Sequence, residues 1–314
     1  MGKQHSGQFW WAHKVEATNK YASGDAGANA GSMTKMTTSG TAAGKPAGKP
    51  TMPLKKWKRE AIEAMGDDDW DQTVFTSGLE SIEGEIPLYL QATTKVWLTQ
   101  LLEAATGAIP ALSRTLHWQH GKLAADTPRR YESFGTICKK WALEVEAGDV
   151  LPIQTITVFS YKTKTEVGAD VHVTPYDKLA FQTAAPCRSK DITISIEGTL
   201  VKYKKLSVEI TTMYDEEPEG GDDSTLEPRV ISRDVTMTIE FDDPLDTISI
   251  HELTEVDPAA IDVILTIGAP FSATLTWANL RVTKADNEAL PEALEVFTRS
   301  LEIGKGTGTT CVLS

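Results

Sequence analysis

The chain has 314 residues, 40% apolar and 24% charged, enough for one large domain or two ordinary ones around a real core. Its formal charge of −13, from 44 acidic and 31 basic side chains, excludes a molecule that grips a phosphate backbone over its whole surface. No apolar run approaches the ~18 residues of a membrane span, and the polar opening Met1-Gly2-Lys3-Gln4-His5 lacks a signal-peptide core. A soluble intracellular product is expected, with no membrane partner.

The charge is unevenly distributed. Residues 1–60 carry ten basic and three acidic groups, a formal +7, which leaves −20 on the remainder. Residues 18–53 are rich in Gly, Ala, Ser, Thr and Lys, and Gly44-Lys45-Pro46 repeats as Gly48-Lys49-Pro50. Such a stretch buries too little apolar surface to fold alone; it reads as a disordered tail or as an arm ordered against a neighbouring acidic body. Its candidate contact residues are Lys45, Lys49, Lys55, Lys56, Lys58 and Arg59. Leu54, Trp57, Ala61 and Met65 form one stripe, which predicts a short helix over 54–65.

From residue 76 the pattern turns to β. Glu83–Leu90 alternates loosely, and Thr93–Ala105 reads as a helix stopped by Gly107. Strands are expected at Gly135–Glu146, Ile153–Thr163, Asp191–Glu197, Thr199–Thr212, Val230–Phe241, Ile261–Ile267, Ser272–Val282, Leu294–Ile303 and Thr309–Leu313. Gly304–Gly308 lacks the Lys-Ser/Thr ending of a P-loop and reads as a hairpin turn. Lys139-Lys140-Trp141-Ala142-Leu143-Glu144-Val145 is echoed by Lys204-Lys205-Leu206-Ser207-Val208-Glu209-Ile210, each after a Gly-Thr pair, which suggests a duplicated β unit.

Period-2 alternation splits each strand into an apolar face and a face of hydroxyls and carboxylates. Val235, Met237, Ile239 and Phe241, for example, oppose Asp234, Thr236, Thr238 and Glu240. Between two such strands, Met213–Arg229 holds Asp215, Glu216, Glu217, Glu219, Asp222, Asp223 and Glu227 without the ligand order of an EF-hand, and reads as a solvated or partner-contacting hairpin tip.

Nothing points to catalysis. His117 and His120 have no H-E-x-x-H context, and Cys138, Cys187 and Cys311 are far apart with no C-x-x-C pair. No G-x-S-x-G or G-x-G-x-x-G is present. Cys311-Val312-Leu313-Ser314 matches a prenylation pattern but also suits a final edge strand. No enzyme, metal or cofactor is expected, and the thiols read as small buried groups in a reducing compartment.

Gly84-Glu85-Ile86-Pro87-Leu88-Tyr89-Leu90 before the helix, the run Gly135–Gly148, and Ile196-Glu197-Gly198 through Glu209 with its long loop and Arg233–Phe241 together resemble the tail tube (major tail) proteins of tailed bacterial and archaeal viruses. The likeness covers about residues 76–310. It implies a mainly β chain of two tandem tube-type β-sandwich or barrel units with one or two short helices. The expected division is a basic arm with a short helix at 1–75, a first unit at 76–185 and a second at 186–314.

The family implies rings stacked into a hollow tube in the virion tail, assembled in the host cytoplasm, through which viral DNA passes as transient cargo. Tandem units imply trimeric rings with pseudo-sixfold symmetry, and single units hexameric ones. Tape measure and tail terminator or tip proteins are the implied partners. On this resemblance Glu144, Glu146, Glu209, Asp234, Thr236, Thr238 and Glu240 are expected to face the lumen, with Lys140 and Lys205 as cationic departures needing carboxylate partners. Asp215, Glu216, Glu217, Glu219, Asp222 and Asp223 would reach between rings. The alternative function is a β-sandwich binding module or adhesin that recognises a glycan or protein through its loops.

Overall fold

The computed structural model describes residues 9–15, 59–62, 74–77, 83–103, 105–108, 113–120, 129–148, 151–160, 162–167, 185–215, 229–241, 260–290 and 295–314. In chain order these form β1 (Phe9–Val15), β2 (Arg59–Ile62), β3 (Val74–Ser77), β4 (Glu83–Tyr89), α1 (Lys95–Glu103), β5 (Arg114–His120), β6 (Arg129–Glu146) and β7 (Ile153–Phe159). There follow β8 (Lys162–Val167), β9 (Ile192–Ile196), β10 (Thr199–Val201), β11 (Lys205–Asp215), β12 (Arg229–Glu240), β13 (Ile261–Ile267), β14 (Ala273–Leu290) and β15 (Glu295–Leu313).

The chain is mainly β. One antiparallel sheet runs β1-β5-β6-β11-β12-β15-β14-β13-β9-β10 and curls into a half-barrel, with β7 joining β6 to β4 and β8 pairing β6. The long β6 makes this branching possible. Its first half lies between β5 and β8, and its second half between β7 and β11. The apolar residues at alternate positions of these strands meet in one core, which includes Trp141, Leu143, Val208, Met237, Leu265, Trp277 and Ile303. Residues from both sides of position 185 contribute to it.

Helix α1 packs on β6 and β15 and buries Trp97, Leu98 and Leu101, the close-spaced positions of one helical face. Thr94 organises its start, accepting from Gln91 N and lying 2.9 Å from the Tyr89 carbonyl. At its other end Arg233 Nε donates to the Leu101 carbonyl at 3.1 Å, placing a cation where the helix leaves its carbonyls unpaired.

Several expectations need correction. Residues Arg59–Ile62 are a strand paired with Val74–Ser77, not a helix over 54–65. The helical stripe lost to a β-branched and aromatic partner that supplies backbone hydrogen bonds across the hairpin. Gly304–Gly308 is not a hairpin turn but part of β15. There Ala278 faces Thr310 and Leu280 faces Lys305, so the intervening residues of β15 bulge outward. Gly306 fits because its Cα abuts the Asn279 carbonyl, where a Cβ would collide. Ile153–Thr163 divides into β7 and β8, and Thr199–Thr212 into β10 and β11.

The echoed segments lie side by side. Trp141 faces Ile210, Leu143 faces Val208 and Val145 faces Leu206. Superposing one echo on the other maps the Leu143–Val208 pair onto itself, so a local twofold through that pair relates them.

Candidate functional site

The hydroxyl-and-carboxylate positions converge on one surface. In β6, Glu144 and Glu146 are exposed while Leu143 and Val145 are buried. In β11 the half-buried Ser207 and Glu209 alternate with buried Leu206, Val208 and Ile210. In β12, Asp234, Thr236 and Glu240 are exposed and Thr238 is half-buried, opposite Val235, Met237 and Ile239.

Register turns these positions into rows. Glu146 faces Lys205, Lys205 faces Glu240, and Glu240 faces Ser300. The next row is Glu144, Ser207, Thr238 and Glu302, followed by Ala142, Glu209, Thr236 and Gly304, and then Lys140, Thr211 and Asp234. Beyond β6, the rows continue through Ile153, Thr155 and Thr157 of β7 to Tyr89, Pro87 and Glu85 of β4. All seven residues expected on a common face therefore share one, and six strands (β4, β7, β6, β11, β12 and β15) build it.

Three lysines on or beside this face lie within reach of carboxylates, while Arg281 of β14, facing Gly304 of β15, extends the third row. Lys140 Nζ lies 2.7 Å from Glu209 Oε2, and Thr211 Oγ1 donates to the other Glu209 oxygen at 3.3 Å. Lys305 Nζ donates to the Arg233 carbonyl (2.7 Å) and lies 3.4 Å from Asp234 Oδ1. On neighbouring β14, Lys284 is 3.1 Å from Asp286 and 3.8 Å from Glu302. The hydrogen bond to Lys284 is the main cause holding the Asp286 carboxyl below its usual range, and Asp286 in turn raises Lys284. Lys205 stands between Glu146 and Glu240 in register. Such exposed pairs add little to the stability of the fold, but they neutralise each lysine locally. Chemically the face offers acceptors and hydroxyls, a poor grip for phosphates.

Asp215 closes β11 opposite Arg229, so residues 216–228 connect a hairpin at the end of this face. Glu216, Glu217, Glu219, Asp222 and Asp223 lie outside the described residues, as do Lys45, Lys49, Lys55, Lys56 and Lys58. Arg59 opens β2.

Sequence reasoning missed the polar groups that hold the face from behind. Buried Gln154 of β7 accepts from Trp141 Nε1 (2.7 Å) and donates to Thr94 Oγ1 (2.6 Å). Gln100 of α1 bonds the backbone at Thr136 and Cys138, where the β6–β7 register shifts. A glutamine interrupting an apolar run was the available signal in both cases. A cleft of about 440 Å³ also opens where β12 and β15 diverge, lined by Arg233, Trp277, Lys305 and Cys311 among others. Burial lowers the Arg233 guanidinium and pushes the Cys311 thiol up to about 11. Among the described residues no helix is long and apolar enough to cross a membrane. In comparison with known proteins, the chain matches no family model and no curated sequence.

Proposed function

We propose that this chain is a structural, non-enzymatic subunit that polymerises as stacked rings into the hollow tail tube of a virus, conducting DNA from capsid to host. The observation that carries the reading is the six-strand polar face, continuous in register from Glu85 to Glu302 and backed throughout by one apolar core. A conduit for DNA needs a wall that repels or ignores phosphates and has no isolated cationic stop. Glu144, Glu146, Glu209, Asp234, Thr236, Thr238 and Glu240 provide it, and Lys140 is tied to Glu209.

Residues 76–185 contribute β4, β7 and β6 to this wall, and residues 186–314 contribute β11, β12 and β15. On the reading that these two stretches are tandem units, three chains would form a ring with pseudo-sixfold symmetry. The acidic connection 216–228 reaches toward the next ring, and the basic arm straps neighbouring acidic bodies. Tape measure and terminator or tip proteins are the expected partners, in a virion tail assembled in host cytoplasm. Electron microscopy of the purified chain tests the proposal: rings or hollow tubes are expected, and persistent monomers at high concentration would reject it.

A further inference from the structure

The ladder between β12 and β15 runs from Glu240 opposite Ser300 to Thr236 opposite Gly304 and stops there. Both strands continue, β12 back to Arg229 and β15 on to Leu313, and the cleft of about 440 Å³ occupies the fork between them. Buried Ile210, Val235 and Trp277 give it an apolar floor. Arg233 stands two residues from Val235, so the half-buried guanidinium lies on the same side of β12 as that floor. Exposed Lys305 also lines the fork, bonded to the Arg233 carbonyl and 3.4 Å from Asp234 Oδ1.

We infer that this cleft binds a small organic acid, one carboxylate on a compact apolar body, with Arg233 meeting the carboxylate and the floor covering the body. A cavity of this size, apolar with a few placed polar groups, has the make-up of a small-molecule site. Burial lowers the Arg233 guanidinium despite the neighbours that raise it, so its charge is less well solvated here than in water. An incoming carboxylate restores what burial removes, and the guanidinium fork matches its geometry. A neutral molecule would desolvate Arg233 further without compensation. An amine would meet Arg233 and Lys305 against the carboxylate of Asp234, which Lys305 already engages.

A peptide strand is a poorer occupant, because adding a strand requires an open backbone edge. Around the fork such groups are already bonded. Val230 N donates to the Ala108 carbonyl at 3.0 Å, Gly107 N to the Val230 carbonyl at 2.6 Å, and Lys305 Nζ to the Arg233 carbonyl at 2.7 Å. On the β15 side Gly306 N donates to Thr309 Oγ1 at 2.8 Å. Recognition in the fork therefore falls to side chains, which suits a small molecule. It does not depend on the chain building a tube.

Cys311 reports occupancy, since it lines the cleft and is partly exposed while Cys138 and Cys187 are buried. Calorimetric titration of the full chain with 2-naphthoate, together with maleimide labelling located by peptide mapping, tests the inference. 2-Naphthoate should bind saturably and at least about tenfold more tightly than its uncharged amide, 2-naphthamide. Acetate, the carboxylate without the apolar body, should not compete. At about ten times its dissociation constant, 2-naphthoate should slow labelling of Cys311 about tenfold. Arg233→Gln should lower the affinity for 2-naphthoate to that for 2-naphthamide. Arg233 also holds the Leu101 carbonyl, so a second variant leaves it in place. Thr106→Trp, at an exposed turn position on the wall of the cleft, should fill the space and abolish binding with the far-ultraviolet spectrum unchanged. No saturable binding of 2-naphthoate, equal binding of 2-naphthamide, an unprotected Cys311, or binding that survives Thr106→Trp would each overturn the inference.

Discussion

Gln100 carries the backbone of Cys138. Cys138 N donates to Gln100 Oε1 at 3.1 Å, and Gln100 Nε2 donates to the Thr136 carbonyl at 3.3 Å, all of it buried. The pairing of β6 with β7 slips between Cys138 and Lys140, so backbone groups there need a partner outside the sheet. Helix α1 is thus fastened to the sheet by an amide as well as by Trp97 and Leu101.

Replacing Gln100 with Met keeps the volume and removes both bonds. Each orphaned buried group costs about 1–3 kcal/mol, so the variant should lose about 2–6 kcal/mol. The urea midpoint should fall with little change in slope. A loss under about 0.5 kcal/mol would show that the shifted register does not depend on the helix.

The polar face makes a prediction about nucleic acid. Changing Glu144, Glu209 and Thr236 together to Lys places three cations within adjacent rows and frees Lys140 from its carboxylate. The side chains point outward, so folding should survive. The variant should retain duplex DNA in a gel-shift experiment, with affinity falling steeply as salt rises, while the wild-type chain does not. Equal DNA binding by both would remove the physical basis for an indifferent wall.

Facing was legible in the sequence because it is a local property. Asp234, Thr236, Thr238 and Glu240 differ in kind from Val235, Met237 and Ile239, and a strand can put them only on opposite sides. Neighbourhood was not legible. Nothing local to Lys140 says that Thr211 stands opposite it, or that Glu85 lies two strands away. The strand at Arg59–Ile62 was read as a helix because its pairing with Val74–Ser77 is invisible to a window that short. Gly304–Gly308 reads as a turn from composition, yet the Asn279 carbonyl and the Thr309 hydroxyl, which accepts from Gly306 N at 2.8 Å, hold it as a bulge. Gln100 and Gln154 stand at inward positions among apolar neighbours, and their role appears only when the groups they bond are in place.

The thiols should make the fold alkali-sensitive. Burial pushes Cys138 up to about 12, Cys187 to about 11 and Cys311 to about 11, from an ordinary value of 9.0. Each folded thiol therefore holds its proton where the unfolded one releases it. The associated stability is complete below pH 9.0 and is lost as pH rises toward 11 to 12. Denaturation midpoints from pH 8 to 11 should decline, and Cys138→Ala should flatten part of that decline. The same protonation predicts slow alkylation of the native chain at pH 8 and rapid modification after unfolding. A pH-independent midpoint would contradict this account of the buried sulfurs.

The basic arm can be tested without disturbing the sheet. Strand β1 pairs with β5 along its whole length, so deleting everything before residue 54 would also strip an edge strand from the body. Removing only residues 18–53, or changing Lys45, Lys49, Lys55, Lys56 and Lys58 to Gln, alters the charge and leaves β1 in place. If the +7 segment straps acidic bodies together, both variants should polymerise less well than the wild type at about 0.1 M salt. The difference should disappear near 1 M salt, where screening has already loosened the wild-type contact. Light scattering during assembly gives the comparison directly. Equal growth at low salt would leave the arm no part in assembly, whereas a defect that persists at high salt would assign it contacts other than charge.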